Sequence, residues 1–359
     1  NSQQAMFLEL SSCPATMEAA KAADIYGLFE GHETQQCDAE QAYVQAKLGG
    51  KLLGGATSLD DIPQTWVRLP KEQWPKSWSK FKDPVCPLVL ALYGHPEAGG
   101  WWEDHSRQQL EEVGFQEIAD WKSCYWHEKL KLFLVVYVDD FKMSGPKDAL
   151  AKGWELIRGR IKTEPPTLAG RYLGCEHQVV EKEIVKGSNP YKHDDIVNKR
   201  DGERIKIKAM VYNMSNFLKS CVDRYVELAK IDKKKLRKVV TPFLDDAKIK
   251  KETDDDDLTW PLSVADKPQR PSKGGDQTSA NTLAVVACKI LMKILYAARM
   301  ARPDLLKAVN SLACHLTKWT RLCDKKLDRI VAYIKSSLHV RQYGWIGDSA
   351  ITWTLHLFA

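Results

Sequence analysis

The sequence lacks any long apolar run. No segment approaches the ~18 consecutive apolar residues that a membrane-spanning helix needs, and the first thirteen residues lack the basic-then-apolar pattern of a secretory signal peptide. The nine cysteines, an odd number, include no Cys-x-x-Cys pair, which argues against a disulfide framework. These absences predict a soluble intracellular protein with reduced thiols and no membrane partner, located either in a cytoplasmic particle or in the nucleus.

A zinc site and a strongly basic surface are also missing. Cys124 and His127 have a ligand-like spacing, but no second pair stands near them, so we expect a half-buried strand without zinc. The formal net charge of +6 over 359 residues is too small to indicate nucleic-acid binding by itself. Only the location of the charges can do so.

One basic cluster follows a stretch, 216–228, whose apolar residues recur at helical spacing. A helix with a basic end could follow the phosphates of a nucleic-acid duplex through counterion release. The plainer alternative is a solvated helix end, since basic residues commonly gather at helix C-termini. The residues predicted to contact nucleic acid are Lys233, Lys234, Lys235, Arg237 and Lys238.

The most informative pattern is an apolar run, 132–138, that ends in two adjacent acids, Asp139 and Asp140, before a second strand-like run at 141–143. This predicts a β-hairpin with carboxylates at its tip. Two adjacent carboxylates are costly to bring together unless a cation neutralises them, and Mg²⁺ prefers such oxygen ligands. An ordinary hairpin turn is the alternative, because Asp-Asp pairs are common in turns.

A third acid, Asp38, favours a metal site over an ordinary turn. One acid from a first strand and an acid pair from a hairpin about a hundred residues later match the order found in a polymerase palm, where two metal ions support nucleotidyl transfer. We expect Asp38 and Asp139 to be the main ligands of Mg²⁺, which Mn²⁺ can replace, and Asp140 to be an outer acid that tunes the charge.

Taken together, the motifs resemble the reverse transcriptase region of a copia-type long-terminal-repeat retrotransposon, and they do so in order over most of the chain. The matching segments are Asp38 to Tyr43, Thr65 to Pro70, Leu92-Tyr93-Gly94 with Trp102 downstream, Tyr137 to Asp140, Tyr172 to Glu176, Val240 to Phe243, and Leu295-Tyr296 with Arg302-Pro303-Asp304 and Tyr333-Ile334-Lys335.

The resemblance implies an α+β right-hand polymerase fold and RNA-directed DNA synthesis. The partners would be an RNA or DNA template with its primer, deoxynucleoside triphosphates, and the ribonuclease H and integrase of the same polyprotein. Tyr43, Glu97 and Tyr137 would contact the nucleotide, Tyr43 as a gate against the 2′-hydroxyl. The implied regions are partial fingers (1–29), a palm (30–176), a thumb-like segment (177–243), a flexible linker (244–280), a helical connection (281–345) and a lead-in strand to a missing ribonuclease H domain (346–359).

Some positions depart from the family pattern. Glu97 stands where the family usually has glutamine, and an acid beside a triphosphate would repel it. Gly99 and Gly100 replace a proline and a basic residue. We also expect the upstream finger strands that carry triphosphate-binding cations in the family to be absent, and Lys21 and Lys47 to be weak substitutes for those cations. Two alternatives therefore stay open: a decayed copy that binds nucleic acid without polymerising, and an unrelated interaction module, which the ordered motifs disfavour.

The remaining patterns concern order and secondary structure. We expect a surface excursion at 179–204, and a linker at 245–276 because its acidic and then Pro, Ser, Lys and Gly-rich composition cannot bury enough apolar surface. Apolar stripes predict helices within 282–339, and alternation predicts a strand within 345–358.

Overall fold

The structure, a computed structural model, describes residues 12–48, 65–185, 202–244 and 283–347. The chain folds as two units, of which the first comprises 1–170, 181–208 and 345–359 and the second comprises 171–180 and 209–344. The fold is α+β with antiparallel sheets, as predicted. Within the described residues, no helix is long and apolar enough to cross a membrane.

The first unit is built on a six-stranded antiparallel sheet with the strand order β4-β5-β6-β7-β1-β8. In chain order, its elements are α1 (Met17–Gly27), β1 (His32–Asp38), β2 (Trp66–Val67), β3 (Cys86–Pro87), α2 (Ala98–Glu112), β4 (Gln116–Glu117), β5 (Cys124–His127), β6 (Leu132–Tyr137), β7 (Asp140–Pro146), α3 (Lys147–Arg158) and β8 (Thr167–Leu168).

The centre of this sheet is covered on both faces, which explains why β6 is apolar along its whole length. On one face, Leu132, Leu134 and Val136 join a core cluster that includes Trp154 of α3. On the other face, Phe133 and Val135 join a cluster with alanines of α1. The segment assigned from sequence to partial fingers thus contains a helix that packs on the sheet beside β1 and β7.

The face covered by α1 also holds a buried ion pair that the sequence did not reveal. Lys142 of β7 and Asp24 of α1 are both 0% exposed, and Lys142 Nζ lies 2.8 Å from Asp24 Oδ1. A charge is stable at such a site only when it is paired and hydrogen-bonded. The pair therefore fixes α1 against the strand that begins with Asp140.

The second unit combines a four-stranded sheet, in the order β12-β11-β10-β9, with helices. Its elements are β9 (Arg171–Tyr172), β10 (Cys175–Val185), β11 (Arg204–Asn213), α4 (Ser215–Ala229), α5 (Ala284–Ala301), α6 (Leu306–Ala313), α7 (Arg321–Ser336) and β12 (Gln342–Ile346). Residues 181–185 of β10, 204–208 of β11 and 345–346 of β12 belong to the first unit. The predicted apolar stripes are confirmed, since the buried residues include Leu218, Val222, Ile290, Ile294, Leu327 and Ile330.

Two predictions of local structure were wrong. The expected excursion from residue 179 begins instead as regular strand, because β10 continues to Val185 and β11 resumes at Arg204. The charged residues of β10 are exposed, and an antiparallel strand accepts such residues when one face meets solvent. The basic cluster is likewise not a helix end: α4 stops at Ala229, Lys230 is left-handed (φ 52°), and Lys233–Lys235 form a separate 3₁₀ turn.

Other predictions fall outside the described residues. The linker at 245–276 and the alternating residues 351–357 lie there entirely. The strand expected from residue 345 overlaps β12 only at its first two positions.

Candidate active site

The acids lie at the tip of the hairpin formed by β6 and β7. Tyr137 and Asp140 are opposite each other in the ladder, so Val138 and Asp139 form a two-residue loop. Val138 has a left-handed backbone (φ 57°), which is rare and strained for a β-branched residue. The indole Nε1 of Trp102 in α2 donates a 2.7 Å hydrogen bond to the Val138 carbonyl, and so holds this conformation in place.

Asp38 reaches the same place from the neighbouring strand. It is the last residue of β1, and its register partner in β7 is Asp140. Two backbone hydrogen bonds fix the segment: the Ala39 N–H donates to the Asp139 carbonyl at 2.7 Å, and the Glu164 N–H donates to the Asp38 carbonyl at 2.9 Å. The structure therefore brings all three predicted acids to one corner of the sheet.

The acids are unequally exposed. Asp38 and Asp139 are exposed, whereas Asp140 is half-buried. Burial, together with the negative charges of Asp38 and Asp139 and a side-chain hydrogen bond with Asp38, raises the pKa of the Asp140 carboxyl to about 7, while the Lys142 ammonium acts in the opposite direction. Crowded carboxylates of this kind are what a nearby cation would stabilise.

The donor set fits a hard divalent cation by its chemistry, because all three groups offer oxygen ligands. As the side chains stand, no group of three or more His, Cys, Asp or Glu residues within the described ranges is arranged to hold a metal ion. The sheet register places Asp38 opposite Asp140, whereas the sequence predicted Asp38 and Asp139 as the main ligands. The division into main ligands and an outer acid stays a prediction.

Tyr43 lies beside this corner. It belongs to a short 3₁₀ helix, Ala42–Gln45, which follows the left-handed Gln41 (φ 50°). Burial first, and then the charge of Asp139, raises the pKa of the Tyr43 hydroxyl. Its ring packs on Tyr93 with centroids 4.6 Å apart. The sequence showed Tyr93 as part of a motif but did not reveal its contact with Tyr43, since the two residues are 50 positions apart in the chain.

Tyr137 is the last residue of β6, at the hairpin tip, and Glu97 lies just before α2, the helix that contacts this tip through Trp102. Glu97 directly precedes α2, and it is half-buried. Its N–H donates to His95 Nδ1 at 3.2 Å, and its carbonyl accepts from the Trp101 N–H at 3.1 Å. The helix that Glu97 begins carries Trp102, so it is linked to the tip through the Val138 carbonyl.

The predicted basic residues belong to the second unit. Lys233 Nζ forms a 2.5 Å ion pair with Asp223, and Lys335 Nζ donates to the carbonyls of Lys233 and Leu236 at 2.8 and 3.1 Å. The other four side chains are exposed: Lys234, Lys235, Arg237 and Lys238. Their contact with nucleic acid stays a prediction.

Comparison with known proteins identifies no relative: no protein-family model, curated protein or solved structure matches the chain. The family resemblance therefore rests on the ordered motifs, and the site rests on its own geometry.

Proposed function

We propose that this chain is the reverse transcriptase region of a copia-type retrotransposon, with a right-hand polymerase fold, and that it catalyses RNA-directed DNA synthesis. The observation that carries the proposal is the meeting of Asp38, at the end of β1, with Asp139 and Asp140, at the tip of the adjacent hairpin. Acids that are more than 100 positions apart in the sequence are held together by a sheet register that allows little adjustment.

The acids give this corner the charge that nucleotidyl transfer needs. Bound Mg²⁺ or Mn²⁺ would supply Lewis-acid activation of the primer hydroxyl and neutralise the phosphate charge. Asp38, Asp139 and Asp140 would hold the cation with carboxylate oxygens. The neighbouring tyrosines, Tyr43 and Tyr93, would pack against the sugar of the incoming nucleotide.

The site's position within the fold supports the same chemistry. Asp38 ends β1, in which Thr34 and Cys37 are buried, and Asp140 begins β7, in which residues 141–145 are buried. Asp38 and Asp139 themselves are exposed. Groups mounted on rigid strands hold catalytic geometry better than groups on loops. The template with its primer, the triphosphates, and the ribonuclease H and integrase of the same polyprotein would be the partners.

Primer extension on an RNA template, with Mg²⁺ or Mn²⁺, tests the proposal. Asp38→Asn and Asp139→Asn should each lower the extension rate by about two to three orders of magnitude, because each removes charge that stabilises the transition state. The matched control is Asp148→Asn, which neutralises an exposed acid in the first turn of α3. Near-parental extension by either site variant would contradict the assignment.

A second candidate function is nucleic-acid binding without polymerisation, and Glu97 favours it. An acid at the start of α2 repels a triphosphate that approaches this end of the helix. If the chain is an impaired polymerase, Glu97→Gln should lower the apparent KM for nucleotide several-fold and leave kcat little changed, since it acts on binding. Binding of a primer duplex with no extension by either the parent or Glu97→Gln would support the binding-only function.

A further inference from the structure

The segment of residues 65–93, here called the aromatic segment, has almost no core of its own. Only Ala91 among its 29 residues is buried. Its strands β2 and β3 pair with each other over two residues and stand outside the six-stranded sheet. The large apolar side chains that are 41 to 66% exposed are Trp66, Phe81, Val85, Val89, Leu90, Leu92 and Tyr93.

The aromatic segment is also basic. It holds five Lys or Arg residues and two acids, which is a large share of the net charge of +6 for the whole chain. Arg68 pairs with Asp83 at 2.8 Å, and both side chains are more than half exposed. In the described part of the chain, the other four cations form no ion pair: Lys71, Lys76, Lys80 and Lys82.

Cations and aromatic rings alternate along this stretch. Lys80 Nζ lies 5.3 Å from the ring centroid of Phe81, and Lys71 Nζ lies 6.0 Å from that of Trp74. Exposed rings offer flat faces on which bases stack, and lysines beside them neutralise phosphates. A surface of this composition is complementary to an unpaired polynucleotide.

The aromatic segment is joined directly to the acidic corner. The Ala91 N–H donates to the Ala46 carbonyl and the Leu48 N–H donates to the Val89 carbonyl, both at 2.9 Å. Tyr93 packs on Tyr43, whose pKa is raised in part by the charge of Asp139. A strand that lies along the segment therefore leads towards the carboxylates.

We propose that the aromatic segment binds single-stranded nucleic acid, with Trp66 and Phe81 as stacking platforms and Lys76, Lys80 and Lys82 as phosphate contacts. That this strand is the unpaired template ahead of the primer rests on the proposed polymerase function. Binding itself does not, because it needs neither the three acids nor a divalent cation.

Fluorescence anisotropy with labelled oligo(rU) and oligo(dT) 20-mers, in EDTA and with the full chain, tests this proposal. Trp66→Ala and Phe81→Ala should each weaken binding by about five-fold or more, and Trp66→Phe should restore most of it. Lys76→Gln/Lys80→Gln should lower the slope of log K against log salt by about 0.7 for each lysine. The control Lys147→Gln/Lys152→Gln removes the same charge from exposed positions on α3.

The outcomes separate the possibilities. Equal weakening by the α3 control and the segment variants would show general electrostatic attraction and overturn the proposal. Unchanged affinity in the ring variants, each shown by circular dichroism to be folded, would overturn it as well, as would binding to anionic phospholipid vesicles without binding to oligonucleotides. Similar losses with rU and dT would indicate recognition through stacking and phosphate. The parent chain should bind both oligonucleotides in EDTA, where extension has no divalent cation, so a failed extension assay leaves this test valid.

Discussion

The acidic hairpin and the aromatic segment lie in the same unit but are stabilised in opposite ways. The hairpin strands are buried on both faces, and paired strands flank them within a continuous ladder. The aromatic segment exposes seven large apolar side chains and is held by a two-residue pair of strands and a few backbone hydrogen bonds. The difference indicates that the geometry of the acids is set by folding alone, whereas the exposed rings of the segment are available to a partner.

The largest loss of stability should come from breaking the buried ion pair between Lys142 of the hairpin and Asp24 of α1. Lys142→Met leaves the Asp24 carboxylate without the ammonium 2.8 Å away, at a site with no exposure. We expect a loss of about 3–5 kcal/mol in the free energy of unfolding, measured with urea. Lys142→Met/Asp24→Leu, which replaces both charges with apolar groups, should recover most of that loss. A single variant as stable as the parent would show that the pair does not anchor α1.

Neutralising Asp140 should change the free energy of unfolding by a smaller amount. In the unfolded chain an aspartate titrates near pH 3.9, whereas in the folded chain burial and the charges of Asp38 and Asp139 raise the pKa of Asp140 to about 7. Between these values the folded state retains a proton that the unfolded state loses, so the free energy of unfolding falls as the pH rises from about 4 to about 7.

Asp140→Asn should remove this loss. Without divalent cations, the variant should match the parent near pH 4 and exceed it at pH 8 by on the order of 1 kcal/mol, because solvent screens a half-exposed carboxyl. Thermal melts at the two pH values measure the difference, which corresponds to a few degrees. Asp148→Asn should show no such gain at pH 8, since Asp148 is exposed and lies in the first turn of a helix. A pH-independent difference for Asp140→Asn would contradict the raised pKa.

Substitution of Tyr43, which lies between the acids and Tyr93 of the aromatic segment, tests the place where the two regions meet. If its ring limits space at the sugar, Tyr43→Ala should raise the ratio of ribonucleotide to deoxyribonucleotide incorporation, by about ten-fold for a lost steric contact, whereas Tyr43→Phe should leave it unchanged. The ratio comes from single-nucleotide extension with each substrate. An active Tyr43→Ala variant with the parental ratio would remove the gate role and leave Tyr43 as a packing partner of Tyr93.

The smallest effect on stability should come from the aromatic segment. Trp66 is 54% exposed, so Trp66→Ala should change the free energy of unfolding by no more than about 0.5 kcal/mol. By contrast, Trp102→Ala should cost about 3–5 kcal/mol, because Trp102 is 2% exposed and packs in the main core. Urea titrations of both variants give the contrast. Similar losses for the two would show that the segment is part of the core.

The features that the sequence predicted well depend on local patterns. The hairpin followed from an apolar run with an acid pair, and the helical stripes of α4, α5 and α7 followed from three- and four-residue spacing. The position of Asp38 beside the hairpin followed from motif order. These patterns are reliable because burial of one or two faces of an element directly determines which of its residues are apolar.

The features that the sequence did not predict depend on contacts between distant residues, or on local patterns that fit two different structures equally well. Lys142 meets Asp24 across 118 residues, and no spacing rule predicts a lysine inside a strand that is buried on both faces. The basic cluster was assigned to the end of α4 because lysines at a helix end and lysines beyond it give the same composition, whereas the left-handed Lys230 shows that the helix stops before them. Strand β10 was missed because its exposed charges are also typical of a loop.

The left-handed Val138 has an evolutionary consequence for the tip. Its backbone conformation suits glycine, yet its side chain packs against the main core and its carbonyl accepts the Trp102 indole. Glycine would relieve the strain but lose the packing, while a bulkier β-branched residue would keep the packing and retain the strain. Two opposing demands on one residue leave few neutral substitutions, so drift at position 138 should be slow for as long as the fold itself is maintained.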